Sequence, residues 1–171
     1  TISELKRAID NNWEGFADLR AKALGCPKKY GNCEPETDMY AERMAQFFAT
    51  KVTNRPNARG GVYKAIMHSA RQYVWQGEKT FALPDGRKAG EELSKNASPV
   101  AGMDKEGVTA LIHSVVKLKP YTYPESFCLD VVLHPTAVAG DDGLNVMKSL
   151  LKYYMKNDGM CIQFNIFHVD T

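Results

Sequence analysis

The chain has 171 residues, enough for one domain, and its 44% apolar and 10% aromatic content can bury a core, which excludes general disorder. Its formal net charge of +2, from 22 basic and 20 acidic residues, excludes the strongly basic surface typical of nucleic-acid-binding proteins. No apolar run approaches the roughly 18 residues of a membrane span, and the first residues have no signal-peptide pattern.

Apolar residues recur at three- and four-residue steps near the start of the chain, with Trp13 filling a gap. This spacing predicts one helix over residues 2–24, which Gly25 ends. Thr1 and Glu4 have the spacing of a capping box at its start.

A second helix is predicted from about Thr37 to Val52. Its larger apolar residues are expected to face inward: Tyr40, Met44, Phe47 and Phe48. Residues 62–75 are ambiguous, since the first half suits a strand and the second half suits a helix. Residues 108–118 are short and apolar, which predicts a buried helix.

Residues 81–107, FALPDGRKAGEELSKNASPVAGMDKEG, have neither helical nor strand periodicity. Such a long structureless segment is uncommon inside a domain, and it indicates disorder, a linker or a loop held for function. The segment therefore raises the main question about this sequence.

The last third of the chain predicts strand, helix and strand. Residues 127–134 alternate between a fully apolar face and a mixed face. A helix begins at the acidic GDDG sequence, and residues 161–167 form the final strand. Because such a unit usually forms a parallel pair, the predicted fold class is α/β.

Four polar residues lie on these two strands between large apolar neighbours: Asp130, His134, Gln163 and Asn165. Buried polar groups need partners, so they are either structural hydrogen-bonding groups or the lining of a cavity. The sequence HPTAV at residues 134–138 follows a strand, where α/β proteins often bind ligands, although an ordinary strand–helix turn is the alternative.

The cysteines Cys26, Cys33, Cys128 and Cys161 are widely spaced, which is typical of a reduced protein, so we expect a cytoplasmic location. None of the histidines stands at ligand spacing from a cysteine, so we expect no metal site. The sequence contains no nucleophile elbow and no phosphate-binding loop.

Seven short motifs follow one another in a fixed order: KYGN (29–32), RGG (59–61), PDGRKAGEEL (84–93), SPVAG (98–102), GVTALIHSVVKL (107–118), LDVVLHPTAV (129–138) and GMCIQFNIF (159–167). Through them the chain resembles an internal stretch of a glycyl radical enzyme of the pyruvate formate-lyase-like superfamily. The resemblance implies part of a ten-stranded barrel of two half-sheets ringed by helices, with the strand–helix–strand unit at the C-terminal end of the chain.

The resemblance also implies a chemistry. A radical stored on a glycine generates a thiyl radical on a cysteine, and the thiyl radical removes a hydrogen atom from a small substrate. A separate activating enzyme, dependent on S-adenosylmethionine and an iron–sulfur cluster, installs the radical. The implied partners are this enzyme, the substrate, the remainder of the same chain and a possible second copy in a homodimer.

Both radical carriers are expected outside residues 1–171. Family members carry the cysteine loop before KYGN, so Cys33 is in the wrong place, and the radical-glycine motif would follow Thr171. Asp170 and Thr171 have the pattern of a helix N-cap, so we interpret the chain as a piece of a partial barrel domain without catalytic residues or a bound cofactor.

The expected function is that of a segment of an anaerobic eliminase or lyase, inactive by itself. A formate acetyltransferase that uses pyruvate and coenzyme A is an alternative, and a non-catalytic scaffold or interaction domain is another. A slice of a barrel should also expose apolar faces and strand edges, so we expect the isolated chain to self-associate.

The resemblance assigns substrate-cavity walls to residues 63–71 and 134–138. The proposed lining residues are Lys64, Met67, Ser69, Arg71, His134, Thr136 and Val138, with His68 as a further polar candidate in the first segment. An inward-facing Lys64 or Arg71 would predict an anionic substrate group. Arg87 is expected to bind a carboxylate or backbone carbonyls, which makes the long loop a fixed structural wrap.

Overall fold

The computed structural model describes residues 1–167. In this range the elements are, in chain order, α1 (Ile2–Asp10), α2 (Ala17–Leu24), α3 (Pro35–Val52), β1 (Ile66–Met67), α4 (Gln72–Glu78), α5 (Gly107–Val116), a 3₁₀ helix (Pro120–Thr122), β2 (Ser126–Leu133), a second 3₁₀ helix (Pro135–Val138), α6 (Gly140–Lys156) and β3 (Cys161–Ile166). The helix N-cap predicted at Asp170 and Thr171 lies outside the described residues.

The chain divides into two compact units. Unit 1 comprises residues 1–28 and 69–94, and unit 2 comprises residues 29–68 and the described residues from 95 onward. The long loop is shared between them, because residues 81–94 belong to unit 1 and residues 95–107 to unit 2.

Unit 1 corrects the prediction of a single helix over residues 2–24. The capping box of Thr1 and Glu4 is confirmed, but α1 ends at Asp10. Asn12 and Trp13 then have φ values of 51° and 64°, a left-handed conformation that interrupts a helix. Trp13 is 3% exposed and donates from Nε1 to the carbonyl oxygen of Arg87 at 3.1 Å, a contact 74 residues distant that local periodicity does not predict.

Unit 2 is built on a three-stranded sheet in the order β1-β2-β3, in which both pairs of strands are parallel. The α/β class and the parallel pair around α6 are therefore as predicted. The central strand β2 is almost fully apolar on one face, and Phe127, Leu129 and Val131 are each no more than 2% exposed. The core extends from this face to α5, where Leu111, Ile112 and Val115 are buried as expected.

Helix α3 is present where the sequence predicts it, but its expected inward face is wrong. Its four large apolar residues are 48–70% exposed: Tyr40, Met44, Phe47 and Phe48. The helix instead buries Asp38, Ala45 and Ala49. Because the alanine side chains are small, the Tyr123 hydroxyl can approach the helix backbone, and it donates to the carbonyl oxygen of Ala45 at 2.7 Å.

Residues 62–75, which were ambiguous from the sequence, contain a strand in the first half and the start of a helix in the second. A two-residue strand, β1, occupies the first half, and α4 begins at Gln72 in the second half. Among residues 1–167, no helix is both long and apolar enough to cross a membrane.

Candidate functional site

The first half of the long loop is organised by Arg87 in unit 1. Its side chain is 4% exposed, and its guanidinium donates to five backbone carbonyls, those of Gly77, Thr80, Phe81, Glu91 and Glu92. A planar guanidinium with five N–H groups suits such a cluster of acceptors. Arg87 thus binds backbone carbonyls, one of the two partners expected from the sequence, and the segment 77–92 is a fixed wrap.

The second half of the loop is held by KYGN in unit 2. The Tyr30 hydroxyl donates to the carbonyl oxygen of Ala97 at 2.9 Å. Gly31 has a φ of +98°, and a Cβ there would lie 2.8 Å from Cγ of Pro99, so glycine is required on both counts. Asn32 accepts from the N–H groups of residues 105 and 106 and donates to the carbonyl of residue 103. Two motifs of the resemblance, KYGN and SPVAG, are therefore in direct contact.

Asp130, itself 8% exposed, is the centre of a partly buried polar network on β2 and β3. Its carboxylate is 2.6 Å from Nζ of Lys95, accepts from the amide of Asn96 and lies 3.5 Å from the amide nitrogen of Asn165. Asn165 in turn accepts from Gln163 at 2.8 Å. Three of the four polar strand residues therefore form a structural hydrogen-bond network, in which the carboxylate is compensated by a lysine.

His134, the fourth polar strand residue, stands apart from this network at the carboxyl end of β2. It is exposed, and its Nδ1 lies 2.7 Å from Oγ1 of Thr136 and accepts from the Thr136 N–H at 3.3 Å. Because Nδ1 is an acceptor, the neutral imidazole carries its proton on Nε2. The side chain and the backbone of this turn are therefore held in one geometry.

The HPTAV turn is also pressed against the start of α6. A Cβ at Gly143 would lie 2.1 Å from the carbonyl carbon of Val138, so only glycine permits this close approach. Val138 is half-buried and packs on the core, whereas Thr136 is exposed. The turn thus presents Thr136 outward on a rigid base at the sheet end where ligands bind in α/β proteins.

Two of the predicted lining residues in unit 2, Met67 and Lys64, lie at the end of the sheet opposite to the HPTAV turn. Met67 pairs with Phe127, and Phe127 precedes His134 by seven residues, about 23 Å of extended strand. Lys64 forms an ion pair with Glu125 at 2.6 Å and lines a groove of about 460 Å³. His68, directly after Met67, places Nδ1 3.0 Å from the Ser126 hydroxyl.

The other two predicted residues, Ser69 and Arg71, belong to unit 1. The Ser69 carbonyl accepts from the N–H of Gln72 at 2.7 Å, at the start of α4. Arg71 is exposed and lies with its guanidinium carbon 5.7 Å from the centre of the Trp75 ring, a cation–π distance.

Two clusters were missed by sequence reasoning. Asp38, 1% exposed, lies 2.7 Å from Nζ of Lys117, 79 residues away. Burial alone would lower the pKa of Lys117, but the hydrogen bond and charge of Asp38 outweigh it and raise that pKa. Cys128 and Cys161 stand opposite each other on β2 and β3. Only the strand register could have revealed this second pair.

Within residues 1–167, no group of three or more histidine, cysteine, aspartate or glutamate side chains is placed to hold a metal ion. The clusters around Arg87, Tyr30 and Asn32 hold loops by hydrogen bonds, and Asp130 and Asp38 each have a lysine partner.

Comparison with known proteins identifies the architecture. The family model Pyruvate formate lyase-like matches residues 1–77, and the model Glycine radical matches residues 93–171. The trans-4-hydroxy-L-proline dehydratase of Clostridioides difficile is 32% identical over 97% of this chain, which covers 21% of that protein. The chain therefore spans about a fifth of the length of the curated relatives that it matches.

Solved structures agree. The glycerol-bound B12-independent glycerol dehydratase of Clostridium butyricum has a TM-score of 0.91 and 33% identity over 98% of this chain and 21% of its own. A glycyl radical enzyme from Archaeoglobus fulgidus has a TM-score of 0.89 and 36% identity over 98% of this chain and 22% of its own.

The fold of the chain is that of these solved glycyl radical enzymes over nearly its whole length. The two family models together match more than half of the chain, which belongs to the glycyl radical enzymes of the pyruvate formate-lyase-like superfamily.

Proposed function

We propose that this chain is a wall and packing segment of a glycyl radical eliminase, most simply a dehydratase of a small hydroxylated substrate. The observation that carries the proposal is the similarity, over nearly the whole chain, to a glycerol dehydratase and to a hydroxyproline dehydratase. In this proposal the three parallel strands are part of a ten-stranded barrel of two half-sheets, completed by polypeptide beyond residues 1–171.

In the proposed reaction, a thiyl radical removes a hydrogen atom from a carbon of the substrate. The substrate radical then breaks its C–O bond to a neighbouring hydroxyl group, which takes up a proton and leaves as water. The polar group that remains on the substrate loses one proton in return, and the thiol gives the hydrogen atom back to the product radical. The cysteine and the radical glycine both lie on flanking polypeptide, so residues 1–171 alone are inactive and bind no cofactor.

Within this segment, the HPTAV turn is proposed as the substrate-facing part. It lies at the carboxyl end of the central strand, where parallel sheets bind ligands. Its backbone is fixed by the His134–Thr136 hydrogen bonds and by the close approach of Gly143 to Val138. Thr136 and Val138 would supply a hydroxyl group and an apolar surface, a suitable combination for a small polyol.

The earlier segment, with Lys64, Met67, Ser69 and Arg71, is proposed to line a part of the cavity remote from the HPTAV turn, since Met67 pairs with Phe127, about 23 Å of extended strand from His134. A cation among them that faced the substrate would select an anionic group. Lys64 is the weaker candidate, because Glu125 already compensates its charge at 2.6 Å. Arg71 stacks on Trp75 and has no acidic partner to displace among the described contacts.

The whole enzyme is proposed to work with a separate S-adenosylmethionine-dependent activating enzyme and to form a homodimer. The cytoplasmic location expected from the cysteines stays a prediction. A formate acetyltransferase or a non-catalytic scaffold would share the fold, and the experiment below separates them.

The test uses the complete polypeptide that contains these residues, activated anaerobically by its activating enzyme. Glycyl radical content is measured by electron paramagnetic resonance, and dehydration is assayed with glycerol, propane-1,2-diol and trans-4-hydroxy-L-proline. We expect a radical signal and turnover of a hydroxylated substrate, and neither with residues 1–171 alone. Acetyl-coenzyme A formation from pyruvate would favour the acetyltransferase, and absence of any radical would favour the scaffold.

Thr136→Val tests the proposed site, because it replaces the hydroxyl by a methyl group of similar size. We expect the variant to raise KM by about two- to tenfold at unchanged radical content, as expected for a lost hydrogen bond. Thr109→Val, an exposed position on α5, is the matched control and should leave KM unchanged. If Thr136→Val and Thr109→Val have the same KM, Thr136 does not contact the substrate.

A further inference from the structure

Two free cysteines face each other across the β2–β3 pair. Cys128 and Cys161 are register partners on these parallel strands, and their Sγ atoms lie 3.2 Å apart. Neighbouring strands place paired residues about 4.8 Å apart, which lies inside the roughly 4.4–6.8 Å range of Cα separations that a disulfide spans. The backbone therefore already has the geometry that a cross-link requires.

The two thiols differ in accessibility, and the pKa of the buried one is raised. Cys161 is exposed, whereas Cys128 is 2% exposed. Burial, followed by the hydrogen bond and charge of Cys161 and the charge of Asp130, raises the pKa of Cys128 to about 12. The Lys95 ammonium acts in the opposite direction and lowers that pKa. The thiolate is the nucleophile, and Cys128 is both buried and hard to deprotonate. We therefore expect the exposed Cys161 to react first with an external reagent.

We propose that Cys128 and Cys161 form a dithiol site that a small disulfide of the glutathione class oxidises to an intrachain disulfide, with Cys161 as the attacking residue. The strand register and the environment of the two side chains give this site its reactivity, and the radical chemistry plays no part in it.

The steps balance. The Cys161 thiolate attacks one sulfur of glutathione disulfide, which forms a mixed disulfide and releases one glutathione. The Cys128 thiol then loses its proton and attacks Sγ of Cys161, which releases the second glutathione. Two protein thiols are oxidised, glutathione disulfide is reduced by two electrons, and both thiol protons end on the two glutathione molecules.

The first step also prepares the second. Two of the causes that raise the pKa of Cys128 are its hydrogen bond to Cys161 and the charge of Cys161. A mixed disulfide removes that negative charge, whereas Lys95 keeps its favourable charge near Asp130, at 2.6 Å. The buried thiol is therefore more easily deprotonated once its neighbour is modified.

The test incubates the chain in native buffer with glutathione disulfide and measures its mass. The variant Cys26→Ser/Cys33→Ser removes the two other cysteines, both exposed. We expect a product lighter by two hydrogen atoms and carrying no glutathione, which dithiothreitol reverses. The same reaction in 8 M urea should instead accumulate glutathionylated chains, because unfolding separates the two thiols.

Single substitutions in that background test the order of attack. Cys128→Ser should retain one glutathione at Cys161, and Cys161→Ser should react at least about tenfold more slowly than Cys128→Ser. If the Cys26→Ser/Cys33→Ser variant fails to fold, the chain with all four cysteines is used instead. After reaction with glutathione disulfide, its tryptic digest under non-reducing conditions should contain peptide 118–148 joined to peptide 157–171.

Three results would overturn the proposal. One is a stable mixed disulfide at Cys161 with Cys128 still reduced, and another is absence of any reaction in native buffer. The third is a Cys161→Ser variant that is modified as fast as Cys128→Ser.

Discussion

The guanidinium of Arg87 donates a hydrogen bond of 2.8 Å to the carbonyl oxygen of Gly77, so the PDGR loop closes onto the last turn of α4 within unit 1. The approach is tight, since a Cβ at Gly77 would lie 2.5 Å from the carbonyl oxygen of Glu91. Backbone groups buried without partners are costly, and here one cation satisfies several of them at once. A segment without helical or strand periodicity is therefore well ordered.

Replacing Arg87 should strongly destabilise unit 1. In Arg87→Met the buried carbonyls lose their donors, and we expect a loss of about 3–5 kcal/mol in the free energy of unfolding, comparable to breaking a buried charged network. Arg87→Lys should recover only part of this loss, because an ammonium group cannot reproduce the planar fork. Urea unfolding followed by tryptophan fluorescence measures the effect.

The matched control is Arg7→Lys, an exposed arginine of the same unit. Its free energy of unfolding should stay within about 0.5 kcal/mol of that of the unmodified chain. Equal midpoints for the Arg87 and Arg7 variants would mean that the carbonyl cluster contributes nothing to stability.

Gly143→Ala should disturb the HPTAV turn. The added methyl group would overlap the backbone of Val138, and a rigid backbone cannot move aside as a flexible side chain would. We expect destabilisation of about 1–3 kcal/mol, the usual cost of overpacking, together with changed amide chemical shifts for residues 134–138. Asn145→Ala, an exposed change on the same helix, is the control, and matching spectra for the two variants would contradict the close approach.

Alkaline pH should unfold the chain partly through Tyr123. Burial raises the pKa of Tyr123 to about 12, so the folded state favours the neutral phenol. An unfolded tyrosine ionises near pH 10, and the stabilisation is therefore complete below pH 10 and disappears as the pH rises to about 12. Urea midpoints measured under reducing conditions at pH 8, 9, 10 and 11 should fall steeply above pH 10.

Substitution identifies the contribution of this one residue. Tyr123→Phe should be less stable at pH 8, because the hydrogen bond to the Ala45 carbonyl is lost, and its stability should fall less steeply above pH 10. The pKa values of Cys128 and Tyr154 are also raised, so part of the loss of stability above pH 10 remains in this variant. Tyr121→Phe, at a 62% exposed position, should leave the slope unchanged, and a slope unchanged in both variants would argue against Tyr123.

The exposed face of α3 should make the chain self-associate. Tyr40, Met44, Phe47 and Phe48 form a contiguous apolar surface on one helix, of the kind that marks an interaction surface. Sedimentation velocity between about 1 and 100 μM should show concentration-dependent association, which Met44→Lys/Phe47→Lys reduces. A monomer at every concentration would refute this expectation, and Glu14→Lys, at an exposed position outside α3, controls for the same increase in net charge.

The sequence predicted elements wherever local signals are strong. The Thr1–Glu4 capping box, the helix at 107–116, the strand at 126–133 and the final strand–helix–strand unit are all present close to the expected positions. The candidate site was predictable only as a position, the turn after a strand. Its internal geometry depends on Gly143, whose side chain is a single hydrogen atom and gives no apolar signal.

The errors have one origin. The first helix breaks because Trp13 packs against a loop 74 residues away, and a local pattern contains no information about that loop. Helix α3 has apolar residues on more than one side, so periodicity cannot decide which side is covered. The structure buries its alanines, because small side chains permit close packing and leave the Tyr123 hydroxyl within reach of the backbone.

The sequence by itself determined the α/β class and the order of most elements, because caps, turns and alternation act over a few residues. It also contains the motifs through which the chain resembles its family. Only the tertiary structure decided which distant groups meet: Arg87 with its five carbonyls, Asp38 with Lys117, and Cys128 with Cys161. Strand register and packing set these distances, and both arise from the simultaneous burial of residues far apart in the chain.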